Sequence, residues 1–271
     1  MQQQLHRQFE IGVAVRPLEM CVVVPVLNER DNVAELINRI SQTLGDLEWE
    51  IMFVDDGSTD GTPEYVTQLA ANDRRIRLIR RFGRRGLSSA VIEGMLASTA
   101  PVVAVIDGDL QHDETLLPTL YRAISEEGKD IAVGTRYSSG GSVGDWDQSR
   151  ARISGFATRL AEMVTRTPLS DPMSGFFAVN RERIVELAPR LSGIGYKILL
   201  DIVASSPQPM KVAEFPYTFR SRVHGESKLD SMVVLQYLEL LAEKRIGDRK
   251  STRLNSSHRC ISSAVFCLKK K

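Results

Sequence analysis

The stretch Pro101-Val-Val-Ala-Val-Ile-Asp-Gly-Asp-Leu-Gln111 carries the most information in this chain. Its first half is short, wholly apolar and rich in β-branched residues, the pattern of a strand buried on both faces. It ends abruptly in Asp107, Asp109 and Gln111. In an extended segment, side chains at alternate positions point the same way, so these three are expected to offer oxygen atoms to one point beyond the strand. Gly108 leaves the backbone open to close approach. Hard oxygen donors suit Mg²⁺ or Mn²⁺ rather than zinc. Such a group at the exit of a buried strand predicts a phosphorylated ligand.

Outward from that point, strands and helices alternate, which predicts an α/β fold with an open, mostly parallel sheet flanked by helices. Strands are expected at Met20–Val26, Glu50–Val54, Ile76–Ile79, Pro101–Ile106 and Asp130–Gly134. Val33, Leu36, Ile37, Ile40 and Leu44 form an apolar stripe at helical spacing. Thr62, as cap, and Pro63 open another helix. Gly86, Ala90 and Gly94 give a third helix a small-residue face that lets it lie close to the sheet. The second half is less regular. A helix is expected over 148–165, a strand at Gly175–Val179, a short helix at Tyr196–Ala204 and an edge strand at Val212–Phe219, where Pro216 cannot donate to a ladder. Leu229–Ile246 reads as a final amphipathic helix, packed on the domain or lying at a membrane surface.

Composition narrows the function classes. Of 271 residues, 35 are basic and 34 acidic, so a net charge of +1 gives no general field for nucleic acid. No stretch approaches the roughly 18 apolar residues of a membrane span, and Met1–Met20 lacks the apolar core of a secretion signal. Cys21, Cys260 and Cys267 show neither metal-ligand spacing nor a disulfide framework, as expected of a reduced protein. Lys250–Lys271 abandons the earlier periodicity and is read as a probable non-native, vector-like tail.

Three polar clusters fall at expected strand ends, where open α/β sheets bind their ligands: Pro25-Val-Leu-Asn-Glu29, Asp55-Asp-Gly-Ser-Thr-Asp60 and Asp107-Gly-Asp-Leu-Gln111. Each alone is also ordinary turn chemistry. Together with Asp171-Pro-Met-Ser-Gly-Phe-Phe177, Gly195-Tyr-Lys-Ile-Leu-Leu200 and His224-Gly-Glu-Ser-Lys-Leu229, their order resembles the family 2 glycosyltransferases of GT-A type, in particular the dolichol-phosphate or polyprenol-phosphate mannosyltransferase group. The resemblance spans roughly Met20 to Ile246. It implies an N-terminal extension (1–19), one GT-A domain (20–249) and the tail (250–271).

The same resemblance implies roles. Pro25, Leu27, Glu29, Val54 and Asp56 match nucleotide-binding positions, with Asp56 accepting hydrogen bonds from the base. Asp107, Gly108, Asp109 and Gln111 match the site of the metal and the donor diphosphate, the cation being held by Asp107, Asp109 and Gln111. Arg136 matches a residue beside the donor diphosphate and acceptor phosphate. Arg150 and Ser154 match the lipid-phosphate site, and Lys197, Arg222 and Lys228 match cations that close over the donor. Asp109, Arg136 and Arg222 are the expected catalytic residues. Leu27 stands where many members carry Tyr, which removes an aromatic contact with the nucleoside.

The implied activity is inverting, metal-dependent transfer of a hexose, mannose from GDP-mannose foremost, to a polyprenyl or dolichyl phosphate. The protein is then expected at the cytoplasmic face of a membrane, peripheral as it stands, with room for a membrane-spanning anchor absent from this chain. Physical chemistry fits. A divalent metal and fixed Arg and Lys charges stabilise the departing diphosphate. A phosphate acceptor, with a second pKa of about 6, is already ionised and needs no general base. His112 is read as a residue behind the metal ligands or in solvent. Arg220, Arg222 and Lys228 flank Gly225 in a loop suited to act as a lid. Two alternatives stand beside this one: the same chemistry with UDP-glucose, and a phosphoacceptor signalling module, which also places acidic clusters at strand ends.

Overall fold

A computed structural model describes residues 16–136 and 167–220. Its centre is a seven-stranded sheet in the order β3-β2-β1-β4-β6-β5-β7. The strands are β1 (Met20–Val26), β2 (Trp49–Asp55), β3 (Ile76–Arg80), β4 (Val102–Val105), β5 (Ile131–Thr135), β6 (Phe177–Asn180) and β7 (Val212–Pro216). The first four pair in parallel and β7 runs parallel to β5, while β6 is antiparallel to both β4 and β5. The α/β expectation with a mostly parallel sheet therefore holds.

Period-two alternation splits the core in two. Met20, Val22, Val24 and Val26 of β1 face one layer, while Cys21 and Val23 face the other. The first layer is covered by α1 (Arg30–Leu44), α2 (Thr62–Ala70) and α4 (Leu117–Ser125), the second by α3 (Leu87–Ala97), α5 (Arg181–Leu187) and α6 (Ile198–Ser205). The stripe expected on α1 is the one buried: Val33, Leu36, Ile40 and Leu44. Phe176 and Phe177, adjacent in sequence, enter opposite cores, each fully buried.

The small-residue face of α3 does what its spacing predicts. A β-carbon on Gly94 would stand 2.5 Å from Val23 Cγ1 and 2.9 Å from Val54 Cγ2, so the helix rests on β1 and β2 at a distance only glycine permits. Pro25 lies in a central strand, where the missing N–H is normally costly. It is tolerated because β4 pairs with β1 only as far as Val23.

Several boundaries differ from expectation. The helix expected to be capped by Thr62 is capped by Gly61, at φ 89°, and Thr62 lies within its first turn. The strand expected at Gly175–Val179 begins at Phe177, because the Ser174 hydroxyl ties the residues before it into a turn: it donates to Gly134 O at 2.7 Å and accepts from Phe176 N–H at 3.1 Å. β7 is an edge strand that ends at Pro216. The helices expected at 148–165 and 229–246 fall outside the described residues, as does the tail.

Candidate active site

The carboxyl ends of β1 and β2 are joined by a hydrogen-bonded seam. Asn28, at φ 56°, donates its backbone N–H to Ser58 Oγ at 2.8 Å, and its side-chain oxygen accepts from Thr59 N–H at 2.8 Å. The Thr62 hydroxyl, freed from capping, accepts from Glu29 N–H and donates to Asp60. Asp60 also accepts from Arg30 N–H, and these bonds outweigh the effect of burial to hold its carboxyl below the usual range. Asp55, fully buried, closes the next turn by accepting from Gly57 and Ser58 N–H.

Asp56, the expected base-binding residue, has chain partners on both oxygens. Arg81 donates to Oδ1 and Gly86 N–H donates to Oδ2 at 2.6 Å. Arg81 is itself 4% exposed and also reaches Ser89 and Gly86 O. Sequence reasoning passed over it, because nothing separates it from Arg80, Arg84 and Arg85 beside it. Among the other expected nucleotide residues, Pro25 and Val54 are buried in the sheet and Leu27 is half-buried. The Glu29 carboxylate accepts from Asn32 at 2.7 Å. The Val54 side chain packs under Gly94. Any contact it makes with a ligand is therefore through its backbone.

The acidic run is not the extended segment its spacing predicts. β4 ends at Val105, and Leu110 takes a left-handed φ of 62°, so the chain turns before Gln111. Alternation does not align the three side chains. Long-range bonds hold the turn instead. Gln111 donates its amide N–H to Arg220 O at 3.0 Å, and the backbone N–H of Arg220 donates to Gln111 O. The Arg220 guanidinium binds Asp113 at 2.8 Å and Glu114 at 2.6 Å. Arg220, grouped in the sequence with a lid, is a clamp beneath the run. Its ion pairs with Asp113 and Glu114 fix it there.

The Asp171–Phe177 segment forms the back wall. Asp171, 1% exposed, binds Arg136 through both oxygens, at 2.8 and 3.0 Å. Gly175 lies so close to Asp107 that a β-carbon there would stand 2.9 Å from Oδ2. His112 Nε2 is 3.1 Å from Asp107 Oδ2, and its Nδ1 is 2.7 Å from the Tyr217 hydroxyl. His112 is 3% exposed, so of its two expected places solvent is excluded, and the ring stands against Asp107, an expected cation ligand. Burial lowers the Lys197 pKa to about 8, with Arg136 adding to the shift and Asp171 and Asp107 opposing it. Lys197 thus lies within electrostatic reach of Arg136, Asp171 and Asp107.

Asp107, Asp109 and Gln111 bring carboxylate and amide oxygens, donors of the kind that suit Mg²⁺ or Mn²⁺. Among the described residues no three His, Cys, Asp or Glu side chains are grouped so as to hold a metal ion by themselves. Arg150, Ser154, Arg222 and Lys228 lie outside the described residues. No described helix is long and apolar enough to cross a membrane.

The model of glycosyl transferase family 2 matches residues 21–187. A dolichol-phosphate mannosyltransferase of Pyrococcus furiosus is 40% identical over 225 residues, covering 82% of this chain and 62% of that protein. One from Saccharomyces cerevisiae is 36% identical over 235 residues, covering 83% of this chain and 86% of that one. The chain thus spans somewhat less than two thirds of the archaeal relative and most of the yeast one. Among solved structures, glucosyl-3-phosphoglycerate synthase from Mycobacterium tuberculosis, in complex with Mn²⁺, UDP-glucose and phosphoglyceric acid, superposes with a TM-score of 0.60. It is 23% identical, with 83% of this chain and 79% of that one covered, a likeness of fold.

Proposed function

The chain belongs to the family 2 glycosyltransferases, and from that premise we propose that it transfers mannose from GDP-mannose to a polyprenyl or dolichyl phosphate at a membrane surface. The observation that carries this reading is the meeting of unlike charges at the strand exits. Oxygen donors for a divalent cation stand beside two cations, Arg136 and Lys197, in the place where an α/β sheet binds ligands. A cation bound by Asp107, Asp109 and Gln111 supplies Lewis-acid stabilisation of the departing diphosphate.

The chain's own residues do the rest. The seam between Asn28 and Thr62 shapes the nucleoside end of the cleft, and Arg81 holds Asp56 in one orientation toward the base. The ion pair with buried Asp171 fixes the Arg136 guanidinium, so its charge costs no reorganisation when the diphosphate leaves. Lys197 gains charge stabilisation from the same anion. Arg150 and Ser154 receive the acceptor phosphate, and Arg222 and Lys228 close over the donor. The acceptor attacks the anomeric carbon from the face opposite the leaving group, inverting it.

The purified chain, given Mn²⁺, labelled GDP-mannose and a polyprenyl phosphate, is expected to yield a labelled lipid. Label arriving only from UDP-glucose would reassign the donor. Stable phosphorylation by a small phosphodonor, without nucleotide binding, would favour a signalling module instead.

A further inference from the structure

His112 is buried, with both ring nitrogens engaged. Nε2 is 3.1 Å from Asp107 Oδ2, and Nδ1 is 2.7 Å from the Tyr217 hydroxyl. The rings of Phe176 and Phe219 stand with centroids 5.3 Å away on either count, and Tyr217 at 5.7 Å. Aromatic packing alone would be served as well by phenylalanine. The two polar contacts require an imidazole.

An ionised carboxylate only accepts hydrogen bonds, so the proton facing Asp107 resides on Nε2. With a neutral ring, Nδ1 then accepts from the Tyr217 hydroxyl. Burial raises the Tyr217 pKa and keeps that hydroxyl protonated. With a charged ring, Nδ1–H donates to the same oxygen. In either case Nε2–H stays on Asp107, so the contact does not depend on the ring's charge. The same oxygen, Oδ2, also lies against Gly175, where a β-carbon would come within 2.9 Å of it. Imidazole edge and glycine thus meet at one carboxylate oxygen.

We propose that His112, oriented by Tyr217, is a positioning residue that fixes the Asp107 carboxylate for cation binding. It rests on the reading of Asp107 as a cation ligand. His112 touches neither donor nor acceptor, and its effect passes through one oxygen atom of Asp107. Groups that orient metal ligands in this way typically contribute about 10–100-fold in metal affinity.

The test is Mn²⁺ titration of the full chain, followed by electron paramagnetic resonance with GDP present, on the unaltered protein and on His112→Phe, His112→Gln and Tyr217→Phe. We expect Mn²⁺ affinity to fall about 10–100-fold in His112→Phe, partly recovered in His112→Gln, whose amide keeps an N–H donor. Tyr217→Phe is expected to weaken binding less, and to add nothing in the double variant with His112→Phe. GDP binding in EDTA stays unchanged throughout, which a merely structural role would not predict. Should His112→Phe fail to fold, the Gln and Tyr217→Phe variants carry the test alone: both must weaken Mn²⁺ binding. Mn²⁺ affinities within about twofold of the unaltered protein in the folded variants would overturn the role of His112 while leaving the cation site standing. If the unaltered protein takes up no Mn²⁺, the cation reading itself fails, and this role with it.

Discussion

The two halves of the cleft are built differently. On the β1–β2 side, the loops at 27–30 and 55–62 lie side by side because their strands are parallel neighbours, and backbone N–H groups joined to short polar side chains make most of the seam. On the β4–β5 side, the acidic run is held by side chains from far along the chain: Gln111 to Arg220, His112 to Tyr217, Arg136 to Asp171. Register positions the first half. Buried charge pairs and hydrogen bonds position the second, and these fail more sharply when one partner is removed.

That contrast can be tested from its steepest consequence downward. Asp109→Ala is expected to cut transfer about 10³-fold or more, by loss of cation stabilisation worth several kcal/mol, while the melting temperature stays near that of the unaltered protein. A folded Asp109→Ala variant with full turnover would break the site assignment. Asp171→Ala leaves Arg136 without its buried partner and is expected to cost about 3–5 kcal/mol in urea unfolding. Asp60→Ala, which loses only turn and capping bonds on the other side, is expected to cost about 1 kcal/mol. Equal costs would erase the distinction between the halves.

Gly94→Ala forces a methyl into Val23 and Val54 and is expected to destabilise by about 1–3 kcal/mol. The smallest effect is a pH dependence. Lys197 holds its proton up to about pH 8 in the folded chain, against 10.5 ordinarily, so nucleotide-sugar affinity should decline as pH rises through 8, less than about tenfold, and stay flat in Lys197→Met. For folding the sign is opposite. Between about pH 8 and 10.5 the unfolded chain binds a proton that the folded one has released, so this group's contribution to stability rises with pH there. Calorimetry over that range distinguishes the two.

Much of the layering was legible in advance. The apolar run at 101–106, the stripe on α1 and the small face of α3 follow from periodicity, and periodicity survives into the fold because one face of each element must be buried. The geometric reason for grouping Asp107, Asp109 and Gln111 does not survive in the structure. Strand alternation was to align them, but the strand ends at Val105 and Leu110 turns the chain. Arg220 was grouped by position with Arg222 and Lys228, and only its contacts with Asp113 and Glu114 separate it from a lid. Arg81 gave no signal among four nearby arginines.

The sequence alone determined the α/β layering, the strand-end clusters and the family, because burial and turn chemistry act through residue type and spacing within a few positions. The tertiary structure decided which arginine holds Asp56, which clamps the acidic run, and that His112 reaches both Asp107 and Tyr217. Apart from His112–Asp107, those contacts join residues 25 to 109 positions apart, where residue type is uninformative and only the strand packing, β3 beside β2 for Arg81 and β7 beside β5 for Tyr217 and Arg220, brings the partners within bonding distance.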